Sequence, residues 1–131
     1  MATLDQDRAQ IAFKSIAEVK GWKDEGRAKK YASIVHAMPA LLRSAGLSQA
    51  LHFVRSRKNK EQQLFLDHLA GQLGRVDATI KNADTLLGKV RDADLPDYLR
   101  LTHEALACVT WYRRFVQGEL NIQAGDVDAD D

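Results

Sequence analysis

Residues 31–60, YASIVHAMPALLRSAGLSQALHFVRSRKNK, decide the fold. Tyr31, Ile34, Val35, Met38, Leu41, Leu42 and Ala45 recur at the i, i+3, i+4, i+7 spacing that lines one face of an amphipathic helix. Ala45-Gly46-Leu47 then stops that helix. A glycine past the last periodic residue takes positive φ without a Cβ clash, and Leu47 can fold back on the stripe. Ser48 offers an N-cap to a second helix, whose apolar face is Leu47, Ala50, Leu51 and Val54 with Phe53 alongside. This helix runs out into Arg55, Arg57, Lys58 and Lys60. The stretch predicts a helical hairpin that packs on one side and meets an anion on the other.

The first helix of the hairpin is expected to span about Glu25 to Ala45. Pro39 lies inside it, removing a backbone donor and disfavouring helical geometry at Met38. The apolar stripe keeps its phase across Pro39, so a kink is expected rather than a break. Before it, Thr3 to Lys20 reads as a helix. Thr3 and Gln6 stand at capping-box positions, and Ala9, Ala12, Phe13, Ile16 and Val19 form the stripe. Gly21 closes it, and Trp22 falls in a short polar connection where its indole can cover the core edge or offer a stacking face to a base. Packing is the expected role.

Downstream, Asn59 with Gln62 caps a helix through Leu64, Phe65, His68, Leu69, Gln72 and Leu73, closed by Gly74. Asp77 can cap a fifth helix with Ile80, Ala83, Leu87 and Val90 on one face. Asp94-Leu95-Pro96 starts the longest helix, with proline in its first turn. Its face is Tyr98, Leu101, Ala105, Cys108, Val109, Tyr112, Phe115 and Val116, ending near Leu120. No alternating strand pattern occurs. The fold class is all-α: a single compact bundle of five or six helices over residues 1–121, with residues 122–131 as an acidic tail expected to be disordered.

Composition agrees with one folded domain: 131 residues, 45% apolar, 28% charged, two prolines. No window reaches the roughly 18 apolar residues of a membrane span. MATLDQDRAQ lacks the apolar core of a signal peptide, and the lone Cys108 cannot form an internal disulfide, so a cytoplasmic protein without membrane contact is expected. The net charge of +1 is unevenly placed. Residues 20–60 hold ten bases against Asp24 and Glu25, whereas Asp126 to Asp131 holds four aspartates and no base. That asymmetry points to a polyanionic partner or to a solvated basic face.

Catalytic patterns are missing. His36, His52, His68 and His103 make no HxxxH or HExxH pair, and a zinc site would have to gather single ligands from several helices. His103 and Glu104 are neighbours, so on a helix they point about 100° apart and cannot form a dyad unaided. Cys108 lies on an apolar stripe, where cysteine behaves as a small hydrophobe. No glycine-rich loop follows a strand. The expectation is a protein that is not an enzyme and takes no cofactor or metal. Gly46-Leu47-Ser48 also fails as a helix-turn-helix turn. The small residue expected four before the glycine is Leu42, and the apolar residues expected six and nine after it are His52 and Arg55.

Three blocks carry a family resemblance. The first is Leu4-Asp5-Gln6-Asp7-Arg8-Ala9 with Ala12. The second holds Tyr31, Ser33, Val35, Pro39-Ala40-Leu41-Leu42, Gly46-Leu47, Gln49-Ala50-Leu51 and Phe53. The third is Glu104-Ala105-Leu106-Ala107 with Trp111-Tyr112-Arg113-Arg114-Phe115 and Leu120. In collinear order over residues 4–120, this resembles the small subunit of the type III-B (Cmr) CRISPR effector complex; residues 58–95 match weakly. The resemblance implies an all-α, non-catalytic subunit of an RNA-guided antiviral ribonucleoprotein. Its implied partners are the other subunits of that complex, guide RNA and target RNA, with copies stacking on one another. Guide–target pairing would read sequence while basic side chains meet phosphates. Charge density selects Arg27, Lys29, Lys30, Arg43, Arg55, Arg57 and Lys58 as nucleic-acid contacts, and Arg114 joins them from the third block. Arg113 and Arg114 are adjacent, so one of them is expected to face a given partner. Trp111, off the main stripe, is expected to pack on another helix. A protein–protein adaptor without RNA contact and a helical DNA-binding regulator are the other readings.

Overall fold

The helices begin where a side-chain oxygen satisfies the first free backbone N–H groups and end where the chain can turn. In the computed structural model, which describes residues 3–127, α1 (Leu4–Lys20) starts on the reciprocal Thr3–Gln6 capping box. Asp24 caps α2 (Glu25–Ala45) by accepting from the Arg27 N–H at 3.2 Å. The helix runs unbroken through Pro39. Next come α3 (Leu47–Arg57), α4 (Lys60–Leu73), α5 (Ala83–Asp92) and α6 (Leu95–Gly118). Among the described residues there is no strand, and no helix is long and apolar enough to cross a membrane.

Two caps differ from expectation. Ser48 does not cap α3. The cap is Gly46, two residues earlier, at φ 86°, and the Ser48 N–H donates to the Tyr98 hydroxyl of α6 at 3.0 Å. That phenol stands 3.4 Å from where a Cβ on Gly46 would lie, so the turn is shaped by α6 as well as by glycine. Asp77 does not open α5 either. Its carboxylate accepts from the Thr79 N–H and hydroxyl, and α5 starts at Asn82, which exchanges cap hydrogen bonds with Thr85. The connection passes so close to Gly74 that an added Cβ would sit 2.8 Å from the Ile80 carbonyl oxygen. This packing buries Ile80 in the loop.

α6 packs along α1 and α2, α2 along α4, and α3 with α5 closes the far side of α4. Phe65 of α4 is fully buried where these layers meet, edge-on to Tyr31 of α2 (5.8 Å between centroids) and to Tyr112 of α6 (5.6 Å). Beside it lies a buried polar joint. Arg8 donates from Nε and Nη2 to the two Glu104 oxygens, each at 2.7 Å, and Arg75 Nη2 adds a contact at 3.0 Å.

Packing also continues past Asn121, where the tail was expected to leave the fold. Ile122 is 5% exposed, its N–H donates to the Val116 carbonyl, and its own carbonyl lies 3.0 Å from His36 Nε2. A 3-10 turn, Ala124–Asp126, follows, and Val127 is half-buried against the core. The remaining tail, residues 128–131, lies outside the described residues. Truncation after Asn121, expected from sequence to be silent, should therefore cost about 1.5–3 kcal/mol, the range for burying one large aliphatic side chain. A thermal melt indistinguishable from that of the full chain would show that this docking contributes nothing.

Candidate nucleic-acid interface

The basic stretch does not form one face. α2 rises about 30 Å over its 21 residues, so Arg27 in its first turn and Arg43 in its last are about 24 Å apart. The chain reversal at Lys58 (φ 55°) and Asn59 returns the start of α4 to the start of α2. There Gln62 Nε2 donates to the Lys30 carbonyl at 3.0 Å, and Arg27 Nε to Glu61 Oε1 at 3.0 Å. Lys30, Lys58 and Lys60 are thus gathered at one end, all exposed.

Several of the expected contacts are already engaged. Arg27 is paired with Glu61 and lies 4.2 Å over the Trp22 ring, which itself meets Tyr31 edge-on; Trp22 packs as expected. Lys29 pairs with Glu25 at 3.5 Å, and Arg55 with Asp84 of α5 at 2.9 Å. Arg57 lies over the Phe53 ring at 5.7 Å. Periodicity along α3 could not show that Arg55 points toward α5.

The other end differs. Arg43 from α2 and Arg113 and Arg114 from α6 line, with Pro39, Thr110 and Gln117, a concavity of about 350 Å³. Both neighbouring arginines border it, where one had been expected, because long side chains from adjacent positions can converge on a groove beside the helix. A second concavity, also about 350 Å³, adjoins it through shared Thr110 and Arg114, with Asp5, Ala107 and Trp111 as its other walls. Trp111 donates from Nε1 to Asp5 at 3.0 Å and stacks on Phe115 at 5.6 Å, packing against α1 as anticipated. That hydrogen bond is the leading cause that holds the Asp5 carboxyl below the ordinary aspartate range.

Cys108 and His68 are held by internal partners. Burial, then the Glu104 charge, pushes the Cys108 thiol up to about 12, so it stays protonated. His68 lies between the Tyr31 hydroxyl (2.7 Å from Nδ1) and Glu18 (3.3 Å from Nε2), and burial lowers its pKa. With the phenol donating to Nδ1 and Nε2–H donating to Glu18, both ring nitrogens are used. Among the described residues no group of three or more His, Cys, Asp or Glu side chains is placed to hold a metal ion.

This is an all-α bundle with basic clusters at the two ends of α2. Comparison with known proteins places it more narrowly. Residues 4–119 match the family model described as CRISPR-associated protein (Cas_Cmr5), and the chain belongs to that family. It is 40% identical over 117 residues to the CRISPR system Cmr subunit Cmr5 of Thermus thermophilus, covering 89% of this chain and 96% of that relative. The crystal structure of a CRISPR-associated Cmr5 family protein from the same species superposes with a TM-score of 0.79 at 39% identity. That superposition covers 90% of this chain and 97% of that one.

Proposed function

We propose that the chain is a non-catalytic, structural small subunit of a cytoplasmic CRISPR RNA-guided effector of type III-B, supporting bound target RNA through its basic surface. Family membership supports the place in the complex. The RNA role rests on one observation: the fold gathers Lys30, Lys58 and Lys60, all exposed, around the α2–α4 junction. Ammonium groups there neutralise phosphates without reading bases, which suits a subunit beside a strand already selected by pairing with a guide.

Replacing Lys30, Lys58 and Lys60 together with glutamate tests this. Arg55 is left alone because reversing its charge would also set it against Asp84. The reconstituted effector should retain less target RNA and show a weaker salt dependence, the log–log slope falling by roughly 0.7 for each phosphate no longer neutralised. The helical melt should not change. Normal assembly with RNA retained at an unchanged slope would reduce this end to a solvated face.

Stacking of copies, or an adaptor role, is favoured by a separate observation. Leu95 and Leu99, one turn apart at the start of α6, are 67% and 58% exposed. Near its other end Phe115 stacks on Trp111 and meets Phe13, itself 47% exposed, edge-on. Apolar surface at both ends of one helix suits head-to-tail contact. On a pure adaptor reading, the lysine reversal would expel the subunit while the remaining subunits keep their RNA.

A further inference from the structure

We infer that the joined concavities between α2 and α6 form a site for single-stranded RNA, in which Arg43, Arg113 and Arg114 take a backbone phosphate and Trp111 presents its ring to the neighbouring base. The inference rests on the reading that this chain meets an RNA strand. It moves the strongest contact from the lysines at the start of α2 to the far end of that helix.

Charge balance is the first argument. Arg8, Arg27, Lys29, Arg55, Arg75, Lys89 and Arg100 each have a carboxylate within 4 Å. Arg43, Arg113 and Arg114 have none among the described residues, nor do Lys30, Lys58 and Lys60, but the three arginines line one concavity in which no acid takes part. Three guanidinium groups drawn to one groove repel each other unless an anion sits between them. Folding fixes the backbone positions from which these exposed side chains reach the groove, since α2 and α6 are set by the core beneath. Such a groove offers an anion three guanidinium groups from two helices, and the arginine fork matches the oxygens of a phosphate.

The adjoining concavity is the second. Trp111 is held by the Asp5 hydrogen bond and by stacking on Phe115, so its ring costs little further ordering when a base meets it. Arg114 and Thr110 belong to both concavities, which puts the cationic and aromatic walls side by side. A cationic groove beside an aromatic face is the recurring arrangement for single strands, with phosphate on one wall and base on the other. An acidic protein segment would engage the arginines and leave the indole unused.

The test uses the full chain carrying Trp22→Phe, so that Trp111 is the sole tryptophan, and a labelled 12-nucleotide oligoadenylate probe at low salt. Binding should quench Trp111 fluorescence. Arg43→Ala, Arg113→Ala and Arg114→Ala together should weaken binding about tenfold or more, reduce the salt slope by about 0.7 per phosphate held, abolish the quench and leave the melt unchanged. Lys30→Ala with Lys58→Ala and Lys60→Ala should leave the quench in place. Salt-dependent binding by the parent chain that the arginine triple does not alter would overturn this site while leaving the proposed function standing. Weakened binding without any quench in the parent would remove Trp111 from it. No probe binding by the parent chain would overturn this site, and full RNA retention by an effector containing both triple variants would defeat site and function together. If the arginine triple binds the probe normally but no longer enters the effector, the groove holds an acidic protein surface and the inference is wrong.

Discussion

Glu104→Ala is expected to destabilise the fold by about 3–5 kcal/mol, the range for removing one partner of a buried ion pair. Glu104 is 4% exposed and Arg8 9%. The carboxylate takes a two-pronged contact from Arg8 at 2.7 Å, one from Arg75 at 3.0 Å, and the Cys108 thiol at 3.4 Å. Alanine would leave a buried guanidinium facing a void, with α1 and α6 no longer tied. For a chain of this size the melting temperature should fall on the order of 10 °C or more. Glu104→Gln, which keeps shape and removes charge, should lose less. The Arg8 hydrogen bonds, opposed by burial, hold the Glu104 carboxyl down to about 2, against 4.5 when unperturbed. Because the folded value is depressed, this contribution is complete above about pH 4.5 and is lost as pH falls toward 2. The parent chain should therefore lose stability across that window more steeply than Glu104→Gln. Equal acid limbs, or an alanine variant that melts with the parent, would show that the joint does not hold the bundle.

How much of this could be read beforehand follows from the range of each signal. The end of α2 was legible because Gly46 acts within one turn, and the Asp24 cap at its start is an equally local signal. The start of α5 was not, since Asp77 and Asn82 are equally good caps. The choice between them is made by Ile80 packing past Gly74, a contact between loops. The Arg8–Glu104 joint spans 96 residues and went unnoticed, yet a signal existed. Arg8 stands in phase with Ala12, Ile16 and Val19, and Glu104 is in phase with Leu101 and Cys108, so two opposite charges lie on stripes that must be buried. A charged residue on an apolar stripe needs a partner, and each could have named the other. The arginine groove had no such clue. Arg43 lies on an exposed face of α2 and Arg113–Arg114 near the end of α6, and only the crossing of those helices brings them together.

Phe65→Ala should produce the second large loss, about 3–5 kcal/mol, and its pattern bears on the groove as well as on stability. The ring is fully buried and edge-on to both Tyr31, in the first third of α2, and Tyr112, in the last third of α6. Removing it deletes the transfer energy of a large apolar side chain, the two edge-to-face contacts at about 0.5–1.5 kcal/mol each, and leaves a cavity that three packed helices cannot collapse to fill. Phe65→Leu keeps most of the volume and should cost about half as much. Tyr112 adjoins Arg113 on α6, so the seating of α6 that brings Arg113 and Arg114 toward Arg43 depends on the same layer, and the two variants separate stability from geometry. Phe65→Leu, still folded at working temperature, should weaken oligonucleotide binding through looser arginine convergence while keeping all three charges. The equilibrium melts and probe affinities of both variants check this. An alanine variant costing under about 1 kcal/mol would mean that the tyrosines close over the gap. Affinity unchanged in Phe65→Leu would mean that the arginines reach their groove whatever the helix spacing beneath them.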